Sequence, residues 1–404
     1  MQSFIKKFSF LSLRDRYLFA ILITALIVRL VFMWVYPDQN FPDSRAYITM
    51  GNEIFSGSLV TNNIYMPLYP IWVKITGGGV IYILMEILIS VASVGLIFFL
   101  SLVIFKDTTS ALLSTIIATF YPHFLFYSVS GLTEVFYTFL LLLSFLNFYK
   151  KKYALAIIVL ILTLLVKPTL DIFNPILIIL FVGIVHKSGY KKIIKYLSIY
   201  GIMYVILLLP WWAHQYEKYG EFVRFNLADG IVLYSGNNPL NTSGGGVGRA
   251  SGDSDMDLNL FIQIKNPIQR NDAMRDAAVT YIIKNPYNFI KMSGVKFMRF
   301  WRLWPYTEYY QQWYVIAASL LSYGLVLFLS IGFVFHNAKK YFREVIPIFA
   351  LIGYLTLVHM VTIGSIRYRF PLEPFLIIFA SYFLTDIFKN RLWLIKLRKK
   401  IEVR

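Results

Sequence analysis

The stretch IYILMEILISVASVGLIFFLSLVIF, Ile81 to Phe105, carries one charged residue, Glu86, and no proline. About 20 apolar residues in a helix cross the roughly 30 Å of hydrocarbon in a bilayer, because a helix satisfies its own backbone hydrogen bonds. This run is long enough. Tyr17–Tyr36 and Tyr314–Phe335 read the same way. Working outward from them, the apolar pattern predicts about ten helical spans, near 17–36, 80–105, 109–128, 132–149, 153–167, 170–186, 193–212, 313–335, 344–363 and 371–388. The expected fold class is an all-α polytopic membrane protein. Composition agrees: 58% of the 404 residues are hydrophobic and 15% charged, where a soluble domain carries about a quarter charged residues. Mean hydropathy is +0.62.

The net charge of +18 suggests nucleic acid until its location is considered. Lys150, Lys151 and Lys152 form one cluster; Lys187, Lys191, Lys192 and Lys195 a second; Lys339, Lys340 and Arg343 a third. Lys389, Arg391, Lys396, Arg398, Lys399 and Lys400 make a basic tail. Each group lies between apolar runs or after the last one, as expected of short cytoplasmic loops. The charge therefore reports topology, and no nucleic-acid partner is expected. With both termini cytoplasmic, every basic cluster falls on the inner side of a plasma or inner membrane. The first apolar run is too long for a signal-peptide core and reads as a retained span. There is no cysteine, which removes disulfides, thiol catalysis and thiolate metal sites.

Two segments then face outward. Pro37–Gly79 is a first loop with short helix-like pieces, and Ala213–Gln312 is a long polar excursion. The expected organisation is residues 1–212 as an N-terminal membrane module, 213–312 as an extracytoplasmic region and 313–404 as C-terminal helices with the basic tail. The excursion begins with YSGNNPLNTSGGGVGRASGD, rich in turn formers. Helices are predicted around Gln269–Lys284 and from Pro286 onward. The GGGVG run, Gly244 to Gly248, lacks the Lys-Ser/Thr of a phosphate loop and reads as linker. Asn241-Thr242-Ser243 is a sequon that has meaning only in a eukaryotic secretory pathway.

Within FPDSRAY, Phe41 to Tyr47, Asp43 stands just past the first span and opens a short amphipathic pattern, AYITMGNEIFSG. An acid at a helix N-terminus gains from the helix dipole, and on spacing alone a solvated loop acid explains it equally well. YMPLYP, Tyr65 to Pro70, is a rigid elbow before a second short helix. Glu134, in SVSGLTEVF, sits at the outer mouth of the fourth span, and Glu86 lies inside the second, where a hydrogen-bonded pair is an alternative to chemistry. Lys167 in LVKPT, and Arg367 and Arg369 in SIRYRFPLEP, are cations at ends where the topology rule disfavours them. If that last segment is extended, the two arginines face one way and suit a phosphate. The alternative is pairing with Glu134, Glu86 or Glu373. The five histidines show no metal-ligand spacing.

Taken in order, these pieces resemble the GT-C membrane glycosyltransferases, in particular bacterial members akin to protein O-mannosyltransferases and the aminoarabinose transferase of lipid A. The resemblance runs through DSRAY, PLYP, LTEVF, LVKPT, LPWWAHQYEKYGEFV, SGNNP, AAVTYIIKNPYNFIKM and RYRFPLEP, from about Arg29 to Phe388. Met66 stands before PLYP where the family has Arg, and His214-Gln215 follows Pro-Trp-Trp-Ala where it has Arg-Asn after Pro-Trp. The resemblance implies sugar transfer from a polyprenyl-monophosphate carrier to a glycan, lipid or protein acceptor outside the membrane. Asp43 would be the catalytic base and Glu134 a possible second acid. Lys167, Arg367 and Arg369 would bind the donor phosphate, and Tyr47, Tyr65 and Tyr69 would form an acceptor or sugar pocket.

The residue set suits that chemistry. A glycosidase needs two carboxylates because an alkoxide leaves poorly, whereas phosphate, with a second pKa of about 6, leaves readily. One carboxylate and cations for the departing phosphate suffice, with no cofactor and no divalent metal required, and in-line displacement inverts the anomeric centre. An O-antigen-type polymerase or ligase acting on diphosphate-linked glycans is the nearest alternative, against which the early Asp43–PLYP–Glu134 series counts. A transporter would show internal repeats or broken midplane helices, and no repeat is visible.

Overall fold

A computed structural model describes residues 12–36, 41–61, 63–246, 259–306 and 310–402, the side chains of 259 and 391–402 excepted. The basic N-terminal stretch to Leu11, the start of the first loop, the end of the glycine run and the cationic side chains of the tail beyond Asn390 lie outside the described residues. Among those described there is no β-strand.

The chain opens with α1, Leu13–Val35, started by Ser12, whose hydroxyl accepts from the Asp15 amide. Two short helices follow in the first loop, α2 (Pro42–Phe55) and α3 (Leu68–Ile75). Pro42 takes the first helical position, where its missing N–H costs nothing. α4, Gly79–Phe105, stops at Lys106 in the left-handed region, and Asp107 caps α5, Thr108–Phe120, through the Ser110 amide. Tyr121-Pro122 then bends the chain by 54° into α6, Pro122–Val129. The carbonyls freed at the bend are not wasted: Arg29, fully buried in α1, donates to Ala118 O and Thr119 O and to Ser90 Oγ.

α7 (Thr133–Tyr149) and α8 (Tyr153–Leu164) pack together, and α4 packs on α5 and α7. α9, Phe173–Val185, ends in a π turn, and α10, Tyr190–Tyr219, is a long helix that carries Pro210. The polar excursion folds as α11 (Asp229–Gly236), α12 (Asn259–Ile262), α13 (Pro267–Lys284) and α14 (Pro286–Phe300), the last two close to the expected positions. The chain closes with α15 (Trp313–His336), α16 (Phe342–Val361), the single turn α17 (Ile366–Arg369) and α18 (Glu373–Glu402).

Six of these helices are long and apolar enough to cross a membrane, or seven if the bent α5–α6 pair counts as one span. α7, α8 and α9 are apolar but shorter, within 10–17 residues. The expectation of about ten full crossings meets a length limit here, since the 12 residues of α8 reach only about 18 Å. The chain is a multi-pass membrane protein. Its buried centre is α7 and the stretch 366–390, 83% buried over its most apolar window, whereas α10 is 11% buried and turns its apolar residues outward. α7 runs from Glu134 to the Lys150 cluster, and α16 starts at the Arg343 cluster and ends just before Arg367. Acids and arginines of interest thus gather at one end of the helices and the lysine clusters at the other.

Candidate active site

The first turn of α2 brings Asp43 to the mouth of α7. Ser44, its neighbour, donates through Oγ to Gly131 O at 3.0 Å and to Ser130 O at 3.3 Å. Gly131 has φ 62, and a Cβ there would meet Ser44 Oγ and the Tyr82 ring at 3.4 Å. Glycine therefore permits both the turn and the close approach of α2. Three residues later, Glu134 occupies the first turn of α7.

Four charged side chains meet at this junction. Arg367 donates through Nη1 to Asp43 Oδ2 at 2.7 Å and through Nε to Glu134 Oε1 at 2.6 Å. Lys167 donates to the same Glu134 oxygen at 2.6 Å. Tyr65 donates to the other Asp43 oxygen at 2.9 Å. Burial and the Asp43 carboxylate push the Tyr65 hydroxyl up, which keeps it a donor. Asp43, Arg367 and Lys167 are 29%, 28% and 25% exposed, whereas Glu134 is 1% exposed with Oε2 unpartnered. The cluster thus presents one open carboxylate and two open cations over a buried acid.

The arrangement separates the two arginines of RYR. The segment is helical, because Ser365 Oγ accepts from the Arg367 amide and caps α17, with a 3-10 turn at 370–372 carrying on into α18. Residues two apart on a helix point to different faces. Arg369 accordingly turns away from Asp43 and is fully buried. It pairs with Glu373, donates to Phe300 O and Arg302 O, and stacks 3.5 Å from the centre of the Tyr323 ring. Glu373 also receives His123 Nδ1 at 2.9 Å. The expectation of one anion facing both arginines is replaced by one open and one closed ion system.

The tyrosines divide as well. Tyr69 is buried, donates to Leu132 O at 2.8 Å and bonds the Tyr82 hydroxyl, so it anchors the turn before α7. Tyr47 is buried between Tyr65 and Tyr69, edge-on to both. Of the three, Tyr65 is the one that hydrogen-bonds Asp43. Glu86 is fully buried and accepts from Trp72 Nε1 at 2.8 Å, outside the cluster of ion pairs. Among the described residues no group of three or more His, Cys, Asp or Glu could hold a metal ion.

Some of what builds the site carries no local signal. Lys296 of α14 is fully buried with no carboxylate partner among the described residues; it donates to Asn237 Oδ1 at 2.9 Å and Val361 O at 3.2 Å. Burial lowers it to about 8. Asn237 also donates to Val361 O, and Gly364 donates to Gly244 O. A Cβ on Gly364 would lie 2.4 Å from Lys296 O. These bonds fix the segment that leads into Ser365 and Arg367. The SGNNP stretch was noticeable in the sequence, but nothing marked Lys296 among the other lysines of the excursion. Asp171, missed too, accepts from Tyr204 at 2.9 Å and pairs with Arg224 at 2.5 Å, joining the start of α9 to the loop after α10.

No protein-family model matches the chain, and no curated protein matches it in sequence. Solved structures do match in fold. Archaeal oligosaccharyltransferase AglB from Archaeoglobus fulgidus, in complex with an inhibitory peptide and a dolichol-phosphate, aligns with a TM-score of 0.57 at 12% identity, over 96% of this chain and 52% of that one. The Archaeoglobus fulgidus oligosaccharyltransferase in its apo form aligns at 0.56 and 10% identity, over 96% and 52%. Its complex with zinc and sulfate gives 0.55 and 10%, over 95% and 51%. The chain spans about half the length of these structures, and what it shares with them is the helical membrane fold.

Proposed function

We propose that the chain is an integral-membrane glycosyltransferase that moves a sugar from a polyprenyl-monophosphate carrier to an acceptor on the extracytoplasmic face. The observation that carries this reading is the open Asp43 held between Tyr65 and Arg367, with Lys167 and Glu134 completing a charge cluster at the end of the bundle away from the lysine loops. The fold shared with oligosaccharyltransferases, one of them bound to a dolichol-phosphate, supports it.

In this reading the acceptor hydroxyl or amine lies against Asp43, which takes its proton as the acceptor atom attacks the anomeric carbon. The carbon–oxygen bond to the phosphate breaks, and its electron pair leaves with the polyprenyl phosphate. Attack opposite the leaving group inverts the anomeric centre. The fork of Arg367 and the ammonium of Lys167 have N–H groups beyond those used on Glu134 and Asp43, and these meet the growing phosphate charge. Glu134 holds the two cations at one spacing while the site is empty. Tyr65 aims the Asp43 carboxylate. Arg369 serves the fold, because it is fully buried, paired with Glu373 and stacked on the Tyr323 ring. The same reading puts both chain termini in the cytoplasm and needs no cofactor.

The test is lipid mass spectrometry on cells carrying wild-type protein or Asp43→Asn. Accumulation of a polyprenyl-monophosphate sugar in the variant is the expected result, and it names the sugar. A build-up of diphosphate-linked oligosaccharide would move the assignment to a polymerase or ligase. Unchanged pools would remove Asp43 from the chemistry.

A further inference from the structure

Among the described residues three non-glycine positions have positive φ, and all three are lysines: Lys106 at 56°, Lys151 at 60° and Lys187 at 51°. They stand just after α4, α7 and α9, at the lysine end of the bundle. A left-handed turn after a helix is the usual place for glycine, because a Cβ there crowds the neighbouring carbonyl. A lysine so placed costs backbone stability, and such an outlier points to a use for its side chain.

Two of the three stand in loops that meet. At the start of α8 the Tyr153 hydroxyl donates to His186 Nδ1 at 2.7 Å, which ties the Lys150–Lys152 turn to the end of α9. The Tyr153 ring lies 4.5 Å, centre to centre, from Tyr196 of α10, and Lys192 Nζ lies 5.0 Å from the centre of the same Tyr153 ring. Partial burial, and then the charges of Lys151 and Lys192, hold the His186 imidazole below its ordinary range. Ammonium groups from two separate segments thus act on one ring.

No carboxylate balances them. Between Glu134 and Glu217 the sequence holds one acid, Asp171, and it pairs with Arg224 beyond the far end of α9. All seven lysines of the first two clusters are exposed, and none forms an ion pair among the described residues. Glu344 reaches α7 through its backbone carbonyl, which accepts from Tyr149. Beside the third cluster, by contrast, Asp386 accepts from Asn337 and Lys389 pairs with Asp107.

Resting on the orientation that puts these loops in the cytoplasm, and not on the transfer chemistry, we propose that the Lys150–Lys152 turn and the start of α10 hold the headgroup phosphate of an anionic glycerophospholipid from the inner leaflet. A lipid suits the place better than a soluble anion, because exposed apolar side chains flank the cations. Leu155 in the first turn of α8, Ile184 near the end of α9 and Ile194 of α10 are all exposed. Phosphate and acyl chains are therefore met together, as in basic pockets at the cytoplasmic ends of membrane helices.

Native mass spectrometry of the full chain in a neutral detergent, titrated with phosphatidylglycerol or with phosphatidylcholine of the same acyl chains, tests this. Wild type should hold phosphatidylglycerol about tenfold more tightly, and Lys151→Gly and Lys192→Gln should each weaken it about fivefold. Lys151→Gly should keep a melting temperature in phosphatidylcholine nanodiscs equal to wild type or above it, because glycine relieves the left-handed turn. A lower melting temperature with lipid retention unchanged would make the lysine structural and overturn the proposal. The Lys339→Gln/Lys340→Gln double variant should bind phosphatidylglycerol as wild type does. Equal retention of both lipids by wild type would overturn the proposal, as would equal losses in every variant, which would reduce the effect to general surface charge. Displacement of phosphatidylglycerol by an equal concentration of sn-glycerol 3-phosphate would overturn the choice of a lipid. Failure of the transferase reading shows in the lipid pools of Asp43→Asn cells, and failure of this site shows here.

Discussion

Arg367 and Arg369 are two residues apart, each engages glutamate, and they end in opposite circumstances. Arg367 is 28% exposed and spans two acids, one of them open to solvent. Arg369 and Glu373 are both at 0% exposure, closed in by His123, Tyr323 and two backbone carbonyls. An ion pair with no access, held by a histidine, a ring and two carbonyls, fixes a helix junction. An ion pair with unused donors and an open edge is a place where a substrate's charge can enter. Exposure, and not the presence of an arginine, separates the two cations: 28% for Arg367 against 0% for Arg369.

Replacing each arginine sharpens the contrast most. Arg369→Met strands Glu373 in a buried site, and loss of one partner of a buried pair costs about 3–5 kcal/mol. Thermal unfolding and the yield of folded protein should fall, with the Michaelis constant for donor unchanged in whatever folds. Arg367→Met should instead reduce turnover by about 10²–10³, the usual loss on removing one donor to developing negative charge. Arg367→Lys should recover only part, since a point charge cannot bridge Asp43 and Glu134 as a fork does. If the Arg369 variant kept full stability and lost activity, the division would collapse.

Lys296 offers a pH-dependent version of the same distinction. Its ammonium is buried on neutral partners, so the folded state favours the uncharged amine at about 8 against the ordinary 10.5. Between those values the unfolded chain binds more protons than the native one, and stability therefore rises with pH. Below about 8 both states are charged and the full penalty, on the order of 3 kcal/mol, persists. The melting temperature of wild type should rise more between pH 8 and 10 than that of Lys296→Met; parallel curves would contradict it.

The smallest difference lies between two tyrosines. Tyr65→Phe removes one hydrogen bond to a carboxylate and should slow transfer about tenfold with little change in stability. Tyr69→Phe leaves Leu132 O and the Tyr82 hydroxyl without their buried partner and should lower stability by about 1–3 kcal/mol. Exchange of these two phenotypes would show that the buried tyrosine, not the half-buried one, serves the reaction.

Much of this was legible in the chain. The apolar runs marked the helices, and Asp43, Glu134, Lys167 and Arg367 were each visible as charges at helix mouths. Their meeting was not, because it depends on the Gly131 turn and on the Ser44 bond that lays α2 across α7. The direction of Arg369 was missed because a Ser365 cap turned an assumed extended segment into a helix. The lengths of the apolar helices were less legible than their character, since α8 ends at Leu164, ahead of Lys167-Pro168. Lys296 was hidden because a lysine with neutral partners looks, in sequence, like any solvated lysine.

The most direct measurement is single-turnover transfer by purified full-length protein, with the donor lipid identified from the cells and donor binding and melting temperature measured alongside. The account predicts that Asp43→Asn slows transfer by about 10²–10⁴, the range for loss of a general base, while donor binding and melting temperature stay near wild type. Transfer at the wild-type rate by Asp43→Asn would contradict it.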